Sequence, residues 1–439
     1  MVCLKTFMGP GTMESAQPQA IHRERRVILP SWRGLLAFLL LPLCIALLSP
    51  QFHWWVDHTH SPFGADLIQE WTAGQLFMQG RTSDIYDAKL FAQAQHDPSE
   101  PLLRWDDDHF FLGVYPPAYY FWMSNIGYVP YSLAVYGWLF FSLASFALAI
   151  RWLASHAPTS QLQWLFVGAV CFFPSVLINM TMGQKGLVWL AILALSWYSL
   201  HRKKPWIAGA LFGILSIKPT LFFLLPILML RGRQYRFVLG AAMTTMVLYG
   251  MAACWMPWDT WIAFTRVVMQ SGSYHHQNGY DFSWSCNLLS LMGPLQQAGL
   301  SRGGALVCLL PFLLTMGLPF VRKPLDWREP EALLQALLAT MLLSPHFYHY
   351  DLVLLLVPLG LCLRTSPQLT FAGIATVWGT VLASPWCYSW LHISPIPFVL
   401  FGLLFAIQRG WPRHASSGMT EWKDFLSESQ MASHSQPAQ

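Results

Sequence analysis

Apolar runs, most of them near the ~20 residues a helix needs to cross a bilayer, recur along this chain and constrain its fold more than any other feature. They lie at about 34–50, 132–153, 162–179, 186–200, 205–217, 219–231, 236–256, 303–321, 331–344, 348–364, 369–385 and 396–409. Only 11% of residues are charged and 54% are hydrophobic, whereas a soluble domain carries about 25% charged residues. The expectation is an all-α integral membrane protein, a polytopic bundle of about twelve transmembrane helices. The formal charge of +5 does not point to nucleic acid, because the basic residues form short clusters between apolar runs.

Those clusters set the orientation, since Lys and Arg gather on the cytoplasmic side. They are Arg23, Arg25, Arg26 and Arg33; Arg151; Arg202, Lys203 and Lys204; Arg231, Arg233 and Arg236; Arg322, Lys323 and Arg328; Arg364; and Arg409 and Arg413. About twelve crossings place all of them inside, with both termini. The chain then divides into a cytoplasmic segment 1–33, a membrane domain 34–409 and a polar tail 410–439 that reads as disordered. The first run, 35–49, starts late and is followed by no small-residue cleavage site, so it reads as an uncleaved helix. Two long polar segments, about 51–115 and 257–302, face outward. Short helices on the membrane surface are expected there, one of them from Asp66 with a stop at Gly80. Cys286 and Cys387 fall on the outward side, and a disulfide between them is open, although no spacing rule links them.

The residues able to carry chemistry collect on that outward face. Asp66 opens the first amphipathic stretch and suits a general base acting on a hydroxyl. It equally suits a helix N-cap, whose carboxylate accepts free backbone N–H groups. Glu70, Asp84 and Asp87 are the reserve candidates for a base. Tyr115-Pro116-Pro117 forces a turn and offers either an aromatic wall or a rigid re-entry into the membrane. The turn Asn179 to Lys185 holds Asn179, Gln184 and Lys185, and polar amides near lipid need partners. Sugar hydroxyls, a phosphate or another loop would serve. Lys218, isolated between two apolar runs, needs a water-filled cavity or an anion, unless it snorkels. In the turn Ser344 to Asp351, His346 and His349 can donate hydrogen bonds to a phosphate. Aromatic stacking at an interface is the structural reading of the same turn. No dense ligand cluster completes a metal site, and no cofactor is expected. One acid with several cations and amides, brought in by separate loops, suits group transfer from a phosphorylated donor.

Taken in order, these motifs resemble glycosyltransferase family 87. The resemblance rests on Asp66 with Trp71, Ala73 and Gly80, on Ile85-Tyr86-Asp87, on Tyr115-Pro116-Pro117 and on Gly183-Gln184. It continues through Gly213 with Ile217-Lys218-Pro219, and Ser344-Pro345-His346 with His349-Tyr350-Asp351, covering about residues 60–365. That family includes polyprenyl-phosphate-mannose-dependent α-(1→2)-mannosyltransferases. The resemblance implies a GT-C fold with catalytic loops on the periplasmic or lumenal face, in a bacterial inner membrane. It also implies a polyprenyl-phosphate sugar donor, a lipid or glycan hydroxyl acceptor, inverting transfer, an Asp base at Asp66 and a donor-phosphate role for His346. The alternative is a transporter or flippase of lipid-linked substrates. Such folds pair two related halves with broken helices near the midplane, whereas the polar motifs here gather on one face.

Overall fold

The computed structural model describes residues 64–96, 110–269, 289–291, 294–295, 302–327, 329–344, 347–391 and 393–410. Every regular element among them is helical. The first group comprises α1 (Ile68–Met78), α2 (Ala88–Gln95), α3 (Pro117–Met123), α4 (Tyr131–Ala154), α5 (Ser160–Cys171) and α6 (Pro174–Thr181). The middle group comprises α7 (Gly186–His201), α8 (Pro205–Ile214), α9 (Pro219–Phe222), α10 (Leu224–Arg231), α11 (Tyr235–Trp255) and α12 (Trp258–Met269). The last comprises α13 (Arg302–Arg322), α14 (Pro330–Leu343), α15 (Leu356–Cys362), α16 (Pro367–Leu391) and α17 (Ile396–Gln408). Short 3-10 turns at Ala65–Leu67, Thr82–Tyr86, Ser124–Tyr128, Leu215–Ile217 and His349–Leu355 carry or flank the polar motifs.

These are the helices of an integral membrane protein, and their limits follow the apolar runs. Three of them, α4, α11 and α16, are long and apolar enough to cross a bilayer, and the α5–α6 pair makes a fourth if counted as one span. Seven further apolar stretches, among them α7 and α14, are shorter. The expected twelve full crossings are therefore not met by the described helices. Pro117, Pro174, Pro205, Pro219 and Pro330 each start a helix, where a fixed φ and a missing N–H cost nothing. Of these, only Pro174 lies inside one of the apolar runs. At Pro174 the run 162–179 breaks, and α5 and α6 meet at a bend of 47°.

Packing among the spans is close. A side chain on Gly209 of α8 would strike the Phe237 carbonyl of α11, and one on Gly240 would lie 2.5 Å from the Trp206 carbonyl. Glycine at these points lets the two backbones touch, which is how helices associate where lipid removes the hydrophobic drive. Trp197 of α7 is buried between Phe237 and Trp327 at ring separations of 6.5 and 6.0 Å.

The outward segments differ from the expectation. Helix α1 stops before Gly80, whose φ of +71° suits glycine, but it does not lie on a surface. Ile68, Gln69, Glu70, Trp71, Thr72, Ala73, Gly74 and Leu76 are all buried. It is clamped against the turn at 124–128, with Trp71 Nε1 donating to Val129 O (2.8 Å) and Gln75 Nε2 to Gly127 O (2.6 Å). Its polar residues Gln69, Glu70 and Thr72 are buried by protein, and Gln69 Oε1 and Thr72 Oγ1 have no partner among the described residues, so the helix does not present a polar face to water. Helix α12 stands at the start of the second outward segment, joined to the first by a 2.6 Å hydrogen bond between the Thr82 and Thr260 hydroxyls. Segment 1–33, the first apolar run, the tail beyond residue 410 and Cys286 lie outside the described residues; Cys387 is a free, half-buried thiol.

Candidate active site

The site begins where residues 64–66 lie along the turn that follows α6. Gly64 N donates to Thr181 O (2.9 Å) and Asp66 N to Met182 O (3.0 Å), while the buried Tyr131 hydroxyl donates to Gly64 O (3.0 Å). Gly183 turns the chain at a φ of +67°, and a side chain there would press on Gly64 and Leu67. This tight crossing delivers the next two residues to Asp66. Gln184 Nε2 donates to Asp66 Oδ2 at 2.5 Å, and Lys185 Nζ donates to the Asp66 main-chain oxygen at 3.2 Å. Lys185 also pairs with Glu70 Oε1 at 2.6 Å, and the Tyr119 hydroxyl donates to that same oxygen at 2.5 Å.

Asp66 is not a helix cap. No side chain caps α1, whose N-cap position is Leu67. With one oxygen held by Gln184, Asp66 Oδ1 has no hydrogen-bond partner among the described residues, and the residue is 8% exposed. Burial pushes its pKa up to about 6; the Lys185 ammonium and the Gln184 hydrogen bond pull downward, the Glu70 carboxylate pushes upward, and Lys218 pulls downward. The reserve bases have other work. Asp84 pairs with the half-exposed Arg81 at 2.7 Å, and Asp87 caps α2 by accepting from Lys89 N and Leu90 N, both at 3.0 Å.

A second buried pair completes the cluster. Lys218, between the Leu215–Ile217 turn and α9, meets Asp351 Oδ1 at 2.6 Å, and its ammonium lies 5.8 and 5.4 Å from the Phe347 and Tyr350 ring centroids. Asp351 Oδ2 accepts from Tyr348 N at 3.2 Å. The isolated cation of the sequence therefore has an anionic partner within the protein, so it neither snorkels nor stands alone. Asn179 is likewise answered by another loop: its Nδ2 donates to Ser175 O (2.6 Å) and Tyr350 O (2.8 Å). Ser175 Oγ donates to His349 O at 2.7 Å, so α6 holds the backbone of 349–350. The His349 ring lies 5.8 Å from that of Tyr350, and its buried Nδ1 has no partner among the described residues.

Tyr115 stacks on Tyr119 at 4.1 Å, and its carbonyl accepts from the Tyr86 hydroxyl at 2.7 Å. Its phenol is held well above the usual range by burial first, then by the nearby carboxylates of Glu70 and Asp351, with Tyr120 and Asp66 adding to it. It thus forms an aromatic wall beside all three acids. His346 lies outside the described residues. Sequence reasoning named Glu70 only as a reserve base and Asp351 only as the end of a motif; their pairing with Lys185 and Lys218, and the part of Tyr119, it left out. The available signal for Glu70 was its spacing: four residues after Asp66, it shares a face with it on a helical path. Among the described residues, no group of three or more His, Cys, Asp or Glu side chains is placed to hold a metal ion.

The family model described as Glycosyltransferase family 87 matches residues 111–347, a little over half of the 439 residues. The match starts after Asp66 and Glu70 and includes Tyr115, Asn179, Gln184, Lys185 and Lys218. No curated protein and no solved structure matches the chain.

Proposed function

Because the chain belongs to glycosyltransferase family 87, and is thereby an enzyme that transfers sugar from a donor to an acceptor, we propose a specific reaction for it. It moves a hexose, mannose by the family resemblance, from a polyprenyl-phosphate sugar to a hydroxyl of a lipid or glycan. The reaction takes place on the non-cytoplasmic face, in a bacterial inner membrane. The observation that carries this reading is Asp66: a buried carboxylate with one oxygen fixed by Gln184, the other unpartnered among the described residues, and a pKa of about 6.

In this mechanism Asp66 accepts the proton of the acceptor hydroxyl as its oxygen attacks the anomeric carbon. The bond from that carbon to the phosphate oxygen breaks on the opposite face, so configuration inverts and polyprenyl phosphate leaves with the electron pair. Lys218 and Lys185 supply positive charge near the developing phosphate anion, an electrostatic contribution that is large in a water-poor site. His346 and His349 are the proposed hydrogen-bond donors to the phosphate, and Tyr115 the wall against which the sugar lies.

The test is to incubate the purified protein with a panel of polyprenyl-phosphate sugars and a hydroxyl acceptor, measuring release of polyprenyl phosphate. One sugar, mannose, is expected to turn over well above the others. Turnover of nucleotide sugars alone would overturn the donor assignment. Orientation is tested by labelling cysteines placed at Ser99 and Ser435 in intact cells; labelling at Ser435 but not Ser99 would reverse the proposed face.

A further inference from the structure

We infer that Glu70 is a positioning residue for Asp66, acting through a Lys185 ammonium shared between the Glu70 carboxylate and the Asp66 main-chain carbonyl. The inference rests on the reading of Asp66 as the base. Its geometry is independent of that reading. Lys185 Nζ reaches Glu70 Oε1 at 2.6 Å and Asp66 O at 3.2 Å. Tyr119 fixes Glu70 Oε1 from a third element at 2.5 Å. Glu70 is fully buried and its Oε2 is unpartnered among the described residues. A carboxylate so enclosed is costly to bury unless it is paired, and the cation it pairs with is the one that also holds Asp66, one helical turn away.

Asp66 must lose its proton to act and hold the next proton long enough to pull it from a hydroxyl. Lys185 alone would favour the carboxylate so strongly that the base weakens. Glu70, drawn onto the same ammonium, takes up part of that positive charge. The pair thereby keeps Lys185 fixed against the Asp66 backbone without over-stabilising the carboxylate. The other groups that face Asp66 are Gln184 from the same turn, Lys218 from the segment before α9, and the phenols of Tyr115, Tyr131, Tyr348 and Tyr350. None of those bridges Asp66 to a second acid in the way Lys185 does.

The test compares the pH dependence of kcat/KM in the full-length protein bearing Glu70→Gln, Lys185→Met or both. Infrared titration of the Asp66 carboxyl serves as a readout that needs no turnover. Losing a charge this close moves a carboxyl titration by on the order of one pH unit. Glu70→Gln is expected to shift the acid limb downward and Lys185→Met upward. The double variant falls between Lys185→Met and wild type, because the Lys185 effect on Asp66 exceeds that of Glu70. If Glu70→Gln alone fails to fold, the double variant is set against Lys185→Met: a lower limb in the double supports the inference and an equal one overturns it. If Lys185→Met alone fails to fold, the Glu70→Gln limb decides: a downward shift supports the inference and an unmoved limb overturns it. Folded single variants whose limbs stay put, or move the same way, overturn it too. An Asp66→Asn enzyme with full activity defeats the base reading itself. An inactive Asp66→Asn with unmoved limbs in the other variants defeats only the role of Glu70.

Discussion

Gln184 donates its side-chain amide to Asp66 Oδ2 at 2.5 Å, across 118 residues of sequence. That contact occupies one oxygen of the acid and leaves the other without a partner among the described residues, and it ties the proposed base to the turn that also carries Lys185.

Asn is nearly the same size as Asp and can still accept from Gln184, so Asp66→Asn is expected to fold. It cannot take a proton, and the rate of sugar transfer should fall by roughly 10²- to 10⁴-fold, the range of a general base. Release of polyprenyl phosphate from a monodisperse preparation measures this. Retention of more than about a tenth of wild-type activity would lie outside that range.

The acid limb of kcat/KM should fall at about pH 6, where buried Asp66 gains its proton. The sign is fixed by the raised pKa. Between its ordinary value of 3.8 and about 6 the folded state binds a proton that the unfolded chain does not. This group therefore favours the folded state as pH drops through that window and opposes it above. Activity and stability thus move in opposite directions, and Asp66→Asn should raise the thermal midpoint in detergent at pH 8. A lowered midpoint there would contradict the sign.

Lys218→Met leaves Asp351 buried without its cation. Breaking such a pair costs about 3–5 kcal/mol, while Lys218→Met with Asp351→Leu should recover most of it. Thermal unfolding of the single and double variants in detergent reads the difference. Equal losses in both would mean that packing, and not the pair, sets the effect.

Gly186 opens α7 directly beneath Asn179, and a side chain there would collide with the Asn179 amide. Gly186→Ala is expected to cost about 1–3 kcal/mol, as overpacking does, and to loosen the Asn179 bond to the Tyr350 carbonyl. Faster hydrogen exchange at residues 349–351 is the expected sign; unchanged exchange there would count against the staple.

Much of the fold was legible because hydropathy and proline act locally. The limits of α4, α7, α11 and α14 fall within a few residues of the apolar runs. The number of full crossings was less legible: hydropathy marks apolar residues but not where a run bends, as 162–179 does at Pro174, and among the described helices three or four are long enough to span. Burial around α1 was not legible either: Gln69, Glu70 and Thr72 carry the composition of a wetted face, and only tertiary contacts show that protein groups enclose them. In the site, residue types announced themselves through cost, since amides and cations between apolar runs need partners. Their pairing did not. Nothing local in Lys218 says that its anion is Asp351, and nothing in Asn179 says that it serves the backbone of a turn far along the chain. Those facts belong to the order in which loops meet, which periodicity does not encode.

The separation of Asp66 from its partners has a consequence for how the protein is made. Synthesis runs from the N-terminus at about 5–20 residues per second, so Lys185 follows Asp66 and Glu70 out of the ribosome by on the order of ten seconds. During that interval two acids destined for burial have no ammonium to meet, and Tyr119 is the only one of their partners at the Glu70 oxygen that precedes the α4 span. Helix α1 can meet the turn at 124–128 early, but the Glu70–Lys185 pair forms only after the turn at 182–185 has been delivered. A chain stopped after residue 180 carries the acids without the cation, and is expected to be taken by membrane quality control before it resembles a site at all.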